Sequence, residues 1–147
     1  MNKYSQFTYD GDLELKAAGL VAATADGSLI LDVGSGLLDA FAVIDVTALE
    51  IASNDESYEV VIQGSSDADF GTAANICPLA SITLGDKLAT RLASGVLALG
   101  TDGTVGRYAL PFRNEQNGTT YRYIRLKTIV VGTIATGINY SAFVAKR

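Results

Sequence analysis

Carboxylates are the reactive side chains that this sequence gathers most closely. SNDESYE, residues 53–59, brings together Asp55, Glu56 and Glu59, and GSSDADFG, residues 64–71, places Asp67 and Asp69 in a Gly/Ser-rich loop. Such loops can hold Ca²⁺, but neither has the ligand spacing of a known calcium loop, and both read as solvated turns. A pair of facing carboxylates could hydrolyse glycosides. With 16 acidic residues in the chain, however, the pattern selects no particular pair. Nucleophilic catalysis lacks its usual base, because there is no histidine to build a Ser-His-Asp or Cys-His unit. The commonest transition-metal ligand is missing with it. Cys77 is the single cysteine; between Ile76 and Pro78 it reads as a small buried hydrophobe, and no internal disulfide can form. Glycine clusters such as GSGLLDAF, residues 34–41, are not followed by Gly-Lys-Ser/Thr and do not read as phosphate loops. The expectation is a protein that is not an enzyme and uses no cofactor.

Groups suited to recognition concentrate elsewhere, in GRYALPFRNEQNGTTYRYIRLK, residues 106–127. Arg113, Asn114, Glu115, Gln116, Asn117 and Arg122 all form directional hydrogen bonds, and arginine grips carboxylates with two parallel N–H groups. These six exceed what a two-residue turn requires, so an interface loop is the preferred reading. The alternative is a hairpin tip whose polar residues cap its own backbone. Charge is divided along the chain as well. Residues 1–106 carry four Lys/Arg and fifteen Asp/Glu, a balance of −11, whereas residues 107–147 carry seven and one, a balance of +6, which together make the net −5. Two readings stay open and are compatible: basic strands pairing across a sheet with acidic ones, or an interface of alternating sign. Nucleic-acid binding is disfavoured, since the acidic remainder opposes approach to phosphate.

The elements that must position these groups are strands. At 147 residues, 48% hydrophobic and 18% charged, the chain is long and apolar enough for one folded domain. Its apolar runs fall short of the roughly 18 to 20 residues that span a bilayer, and MNKYSQFTYDGDLELK lacks the apolar stretch of a signal peptide, so a soluble protein made in a cytoplasm is expected. SYEVVIQG alternates Tyr58, Val60 and Ile62 against Glu59, Val61 and Gln63. In YRYIRLKTIVV the even positions Arg122, Ile124, Leu126, Thr128 and Val130 make the better core face, with Tyr121 and Tyr123 beside the basic side chains opposite. RYALPF, INYSAFVA and SLILDVGSG are further strands. Residues 40–53 are mixed in phase, which suggests a bulge or bend near Ile44–Asp45. Asn117–Gly118 is a strong hairpin turn joining RYALPF to TTYRYIRLK, and Asp26–Gly27 and Asp102–Gly103 read similarly. Residues 84–100 are ambiguous: Leu84, Leu88, Leu92 and Val96 suit a short helix, and a loop plus strand fits equally. About eight or nine strands without a long helix predict an all-β fold over residues 12–147, a sandwich or a barrel, and eight strands fit a jelly roll. Residues 1–11 form an extended N-terminal arm whose Tyr4, Phe7 and Tyr9 suggest a tether ordered against a neighbour, or else packing on its own domain.

LKAAG (15–19), ILDVGSG (30–36), DVTALEIAS (45–53), DESYEVVIQGSSD (55–67) and above all GRYALPFRNEQNGTTYRYIRL with TGINYSAFVAK resemble the cement, or head-decoration, proteins of tailed-bacteriophage capsids. The resemblance covers nearly the whole chain and is most specific in the C-terminal third. It implies a jelly-roll sandwich on the outer surface of the virion, contacting the major capsid protein. Self-association as a homodimer, or a trimer, is implied as well, with no catalytic residues, no membrane and no direct nucleic-acid contact. The interface residues it suggests are Arg113 to Thr120, with the strand Tyr121 to Leu126 beside them; the arm aromatics Tyr4, Phe7 and Tyr9 would add anchoring area. A carbohydrate- or receptor-binding module of a phage tail or fibre is the competing expectation, with Tyr121 and Tyr123 stacking on sugar rings.

Overall fold

Period-two alternation of apolar and polar residues gives each long strand one face to bury, and two antiparallel sheets bury those faces against each other. The computed structural model describes residues 8–85, 90–91, 97–98 and 103–146. Its strands are β1 (Glu14–Val21), β2 (Ala25–Asp26), β3 (Leu31–Asp32), β4 (Asp39–Leu49), β5 (Ser57–Ser65), β6 (Ile76–Gly85), β7 (Thr90–Arg91), β8 (Leu97–Ala98), β9 (Gly106–Arg113), β10 (Glu115–Gln116), β11 (Thr119–Thr120), β12 (Tyr123–Val131) and β13 (Ile138–Lys146). The first sheet runs β1-β13-β4-β9, and the second runs β2-β12-β5-β6 with β3 also on β12. The fold is an all-β sandwich. Among the described residues the helical content is two 3₁₀ turns, Gly11–Leu13 and Ala73–Asn75, and no helix is long and apolar enough to cross a membrane.

The core follows the alternation. Ala40, Ala42, Ile44 and Val46 of β4, with Ile138, Tyr140, Ala142 and Val144 of β13, face Tyr58, Val60 and Ile62 of β5 and Ile124 and Leu126 of β12. Among the described residues one buried hydrogen bond crosses between the sheets, joining the Thr128 and Tyr140 hydroxyls at 2.6 Å. The hydroxyl of Tyr58, also in the core, meets no hydrogen-bond partner among the described residues. Burial pushes its pKa up to about 12, with the carboxylates of Glu50 and Glu56 adding to the effect.

Three expectations change. The apolar face of residues 40–53 does not switch at Ile44–Asp45: β4 keeps its even positions in the core through Val46. Val43 is buried on the opposite face because Phe143 and Ala145 cover it there, forming a second small cluster. The irregularity falls later, at Thr47, where β13 pairs Asn139 with Ala48 and Tyr140 with Val46. RYALPF and YRYIRLK are not the two arms of one hairpin. β9 pairs with β4 and β12 with β5, so they lie in opposite sheets, each matched to a long partner that turns its apolar side to the shared core. The Asn117–Gly118 turn, with φ of 53° and 81°, closes only the short β10–β11 pair between them. Asp26–Gly27 is not a hairpin turn either: β2 pairs with β12, and the Gly27 N–H donates to the Leu126 carbonyl at 2.7 Å. In residues 84–100, Leu84 is the penultimate residue of β6 and is buried, and β7 pairs with β8. Leu88, Leu92, Val96 and Asp102 lie outside the described residues.

Gly137 immediately precedes β13 with φ of 98°, and a Cβ there would run into the Val21 carbonyl oxygen of β1. Gly137→Ala therefore combines backbone strain with a backbone clash. A loss of about 2 kcal/mol is expected, seen as a lower urea midpoint at unchanged slope.

Candidate functional site

Residues 113–122 carry the chain from one sheet to the other, and the side chains singled out for recognition lie along this crossover. Its centre is Asn114, fully buried. The side-chain Oδ1 accepts from the Leu38 N–H at 2.7 Å, and Nδ2 donates to the Gly36 and Tyr121 carbonyls at 3.0 Å each. Its backbone N–H donates to the Leu38 carbonyl at 3.1 Å, and its carbonyl accepts from the Tyr121 N–H at 2.7 Å. Every donor and acceptor of the residue is occupied. Asn114 is thus a structural tie and not a contact residue, which corrects the expectation for it.

The remaining residues of the loop are arranged around that tie. Glu115 Oε1 accepts the Gly118 N–H at 2.7 Å, capping its own turn. Gln116 Oε1 accepts from the Cys77 thiol at 2.9 Å. Cys77 is half-buried and not the enclosed hydrophobe expected, because β6 reaches the crossover at its polar side. Asn117 is exposed at the apex of the turn. Tyr121 packs over Gly64, where a Cβ would come within 2.8 Å of the Tyr121 Cβ. Hydrogen bonding with Cys77, and then burial, raises the pKa of the Tyr121 hydroxyl.

The positive charges of this segment are matched. Arg107 pairs with Asp45 at 2.6 and 2.8 Å, and Arg113 with Asp39 at 3.3 Å. Arg122 grips Asp32 through Nε at 2.9 Å and Nη2 at 2.8 Å. Asp26 accepts both Arg125 at 3.3 Å and Lys127 at 3.4 Å. Partner numbers fall as the cation numbers rise, because residues 26–45 run antiparallel to residues 107–127. The cross-strand reading of the charge split therefore holds. Arg125 is the most enclosed of these cations, between Gln63 Oε1 at 3.0 Å and the Phe70 ring at 4.4 Å. Arg113 and Arg122 stay half-exposed.

The acidic clusters are not simple solvated turns. Glu56 is buried, with its carboxylate accepting the Ser53 N–H at 2.6 Å and the Asp55 N–H at 3.1 Å. Burial pushes its pKa up, but these N–H donors outweigh it and hold the group below the ordinary carboxylate range. Asp55 accepts the N–H and hydroxyl of Thr133 at 2.9 Å each, and Asp67 accepts from Asn75 Nδ2 at 3.0 Å. Glu50, which no pattern in the sequence marks, accepts the N–H groups of Ala135, Thr136 and Gly137, the last two at 2.6 Å. The Thr136 and Gly137 donors hold its pKa low. Among the described residues no group of three or more His, Cys, Asp or Glu is placed to hold a metal.

Of the arm, Tyr4 and Phe7 lie outside the described residues. Tyr9 is exposed on one side and meets its own domain on the other, with its ring edge-on to Phe143 at 5.4 Å. A scan against models of known protein families finds no match, and neither does a search of curated protein sequences.

Asn114→Ala removes the side chain that satisfies the Leu38 N–H and the Gly36 and Tyr121 carbonyls. A loss on the order of 3 kcal/mol in chemical denaturation is expected. The Arg122 guanidinium, and next the Gly34 N–H, hold the Asp32 carboxyl at about 2. The stabilisation linked to this low pKa is complete above about pH 4 and is lost as pH falls through about 2. An NMR titration of Asp32 checks this, and Arg122→Ala is expected to return the midpoint towards the ordinary value.

Proposed function

We propose that this chain is a structural virion protein: a capsid cement, or decoration, protein that binds the outer surface of a tailed-phage head and stabilises contacts between major capsid proteins against internal DNA pressure. The observation that carries this reading is that the conspicuous polar groups are spent on the protein's own backbone and on each other. Asn114, Glu50, Glu56 and Asp55 tie loops to strands, and the cations from Arg107 to Lys127 meet aspartates. Such bonding makes a stiff body, and a stiff body loses little conformational entropy on docking. A protein that binds only the closed shell stabilises that state by mass action, and contact with two neighbouring subunits raises the effective concentration of the second contact. The sequence resemblance supplies the phage context and the expectation of a homodimer. A jelly roll is the topology we assign; the strand orders β1-β13-β4-β9 and β2/β3-β12-β5-β6, with residues 26–45 antiparallel to 107–127, support it.

The carbohydrate-binding alternative gains nothing from the two tyrosines on which it rests. Tyr121 is pressed onto Gly64, and the Arg122 guanidinium lies over the Tyr123 ring at 5.3 Å.

Purified protein mixed with empty heads of the phage that encodes it is expected to co-sediment with them and to raise their resistance to heat. Arg113→Ala and Arg122→Glu should weaken that attachment by about tenfold, equivalent to about 1.4 kcal/mol, while leaving the isolated domain folded. A protein that stays monomeric by light scattering and leaves heads undecorated would refute the proposal.

A further inference from the structure

At the end of the sandwich nearest Asn114 the two sheets part around a concavity of about 300 Å³, walled by Leu13, Leu31, Leu38 and Val144. Two exposed residues stand at its rim. Leu37 leaves 63% of its surface in water, the most exposed of the large apolar side chains described. Lys146 follows Val144 in the same phase of β13, so its ammonium rises from the inner face of the strand at the mouth. Asp32 also lines the opening, but Arg122 already holds it in a two-pronged pair. Among the described residues Lys146 has no carboxylate within ion-pair distance. Among the described residues lining the mouth, the uncompensated charge is therefore positive.

We propose that this concavity is a docking pocket for one bulky apolar side chain of a partner protein, flanked on that partner by a carboxylate that pairs with Lys146. The volume lies at the small end of binding cavities and suits a single ring-sized group rather than an extended ligand. Anchors of this kind, an apolar side chain in a pocket ringed by polar groups, dominate protein interfaces. A cation at the rim selects the sign of what approaches. The partner's identity as a shell protein rests on the function proposed above; the pocket and its preference for an acidic apolar segment do not.

The test uses the full chain and small probes, 3-phenylpropionate against 3-phenylpropylamine, with the methyl signals of Leu31, Leu38 and Val144 followed by NMR. The carboxylate probe is expected to shift all three saturably and to bind several-fold more tightly than the amine. Lys146→Glu, a surface change, is expected to reverse that order and to weaken co-sedimentation with heads. Unmoved methyl signals would overturn the proposal, as would equal binding of both probes with no response to Lys146→Glu. Shifts that appear only in the Tyr4→Ala/Phe7→Ala double variant would assign the pocket to the chain's own arm and overturn it equally. Shell binding is scored separately by sedimentation, so failure of one result does not mimic failure of the other.

Discussion

The buried amide of Asn114 is the constraint around which the rest of this end of the molecule is arranged. Between β9 in one sheet and β12 in the other, the chain must cross the top of the core, where backbone polar groups have no ladder to join. One side chain resolves this by bonding to two segments at once, residues 36–38 and Tyr121. Everything near it inherits that position. Leu38 is held at the wall of the concavity, Arg113 beside Asp39, and Arg122 beside Asp32. The Val33 N–H also donates to the Arg122 carbonyl at 2.9 Å, which ties β3 to the same crossover. A half-satisfied amide here would be worse than an apolar residue, since the low local dielectric raises the cost of each orphaned group.

The arginine–aspartate pairs around the tie serve a different purpose. Most are partly exposed, and exposed pairs contribute only about 0 to 1 kcal/mol each. Their value lies in order. Arg107, Arg113, Arg122 and Lys127 meet Asp45, Asp39, Asp32 and Asp26 in turn, so the pairs mark the alignment of residues 107–127 against residues 26–45. A one-residue slip would set cations against neutral or apolar neighbours and turn the inward side chains outward. The charge split that first suggested an external partner is thus satisfied first within the chain. Arg113 and Arg122 remain half in water beside their aspartates, so their surface is of mixed sign rather than simply basic.

Legibility in the sequence tracked how local each cause was. The alternation in SYEVVIQG needs only one strand and one core, and Tyr58, Val60 and Ile62 are all buried. The Asn117–Gly118 turn needs only two residues with positive φ. The hairpin expected to span it failed because the partners of β9 and β12, β4 and β5, lie far away in sequence. Val43 misled because its outer face is covered by Phe143 and Ala145, about a hundred residues later in the chain. Asn114 was singled out for the right property, directional hydrogen bonding, but burial sent those bonds inward. Glu50 left no local mark at all, since its donors belong to the loop at residues 135–137.

The exposed strand edges narrow how such a body can meet another molecule. An open edge is a template for strand addition. Among the described residues each edge of the sandwich carries a device against it. β1 has two register shifts within a few residues, and the Lys16 ammonium plugs the irregular ladder by donating to the Ala17, Gly19 and Tyr140 carbonyls at 3.0 Å each. β9 carries Pro111 and β6 carries Pro78, each lacking an N–H to offer, and β6 also shifts register opposite Ile62–Gln63. Along the remaining edge, β12 is covered by the two short strands β2 and β3. With backbone pairing blocked in this way, recognition falls to side chains on the faces and ends of the sandwich. There the half-exposed arginines, Tyr9 and the apolar concavity beneath Lys146 lie, and there the proposed contacts would fall.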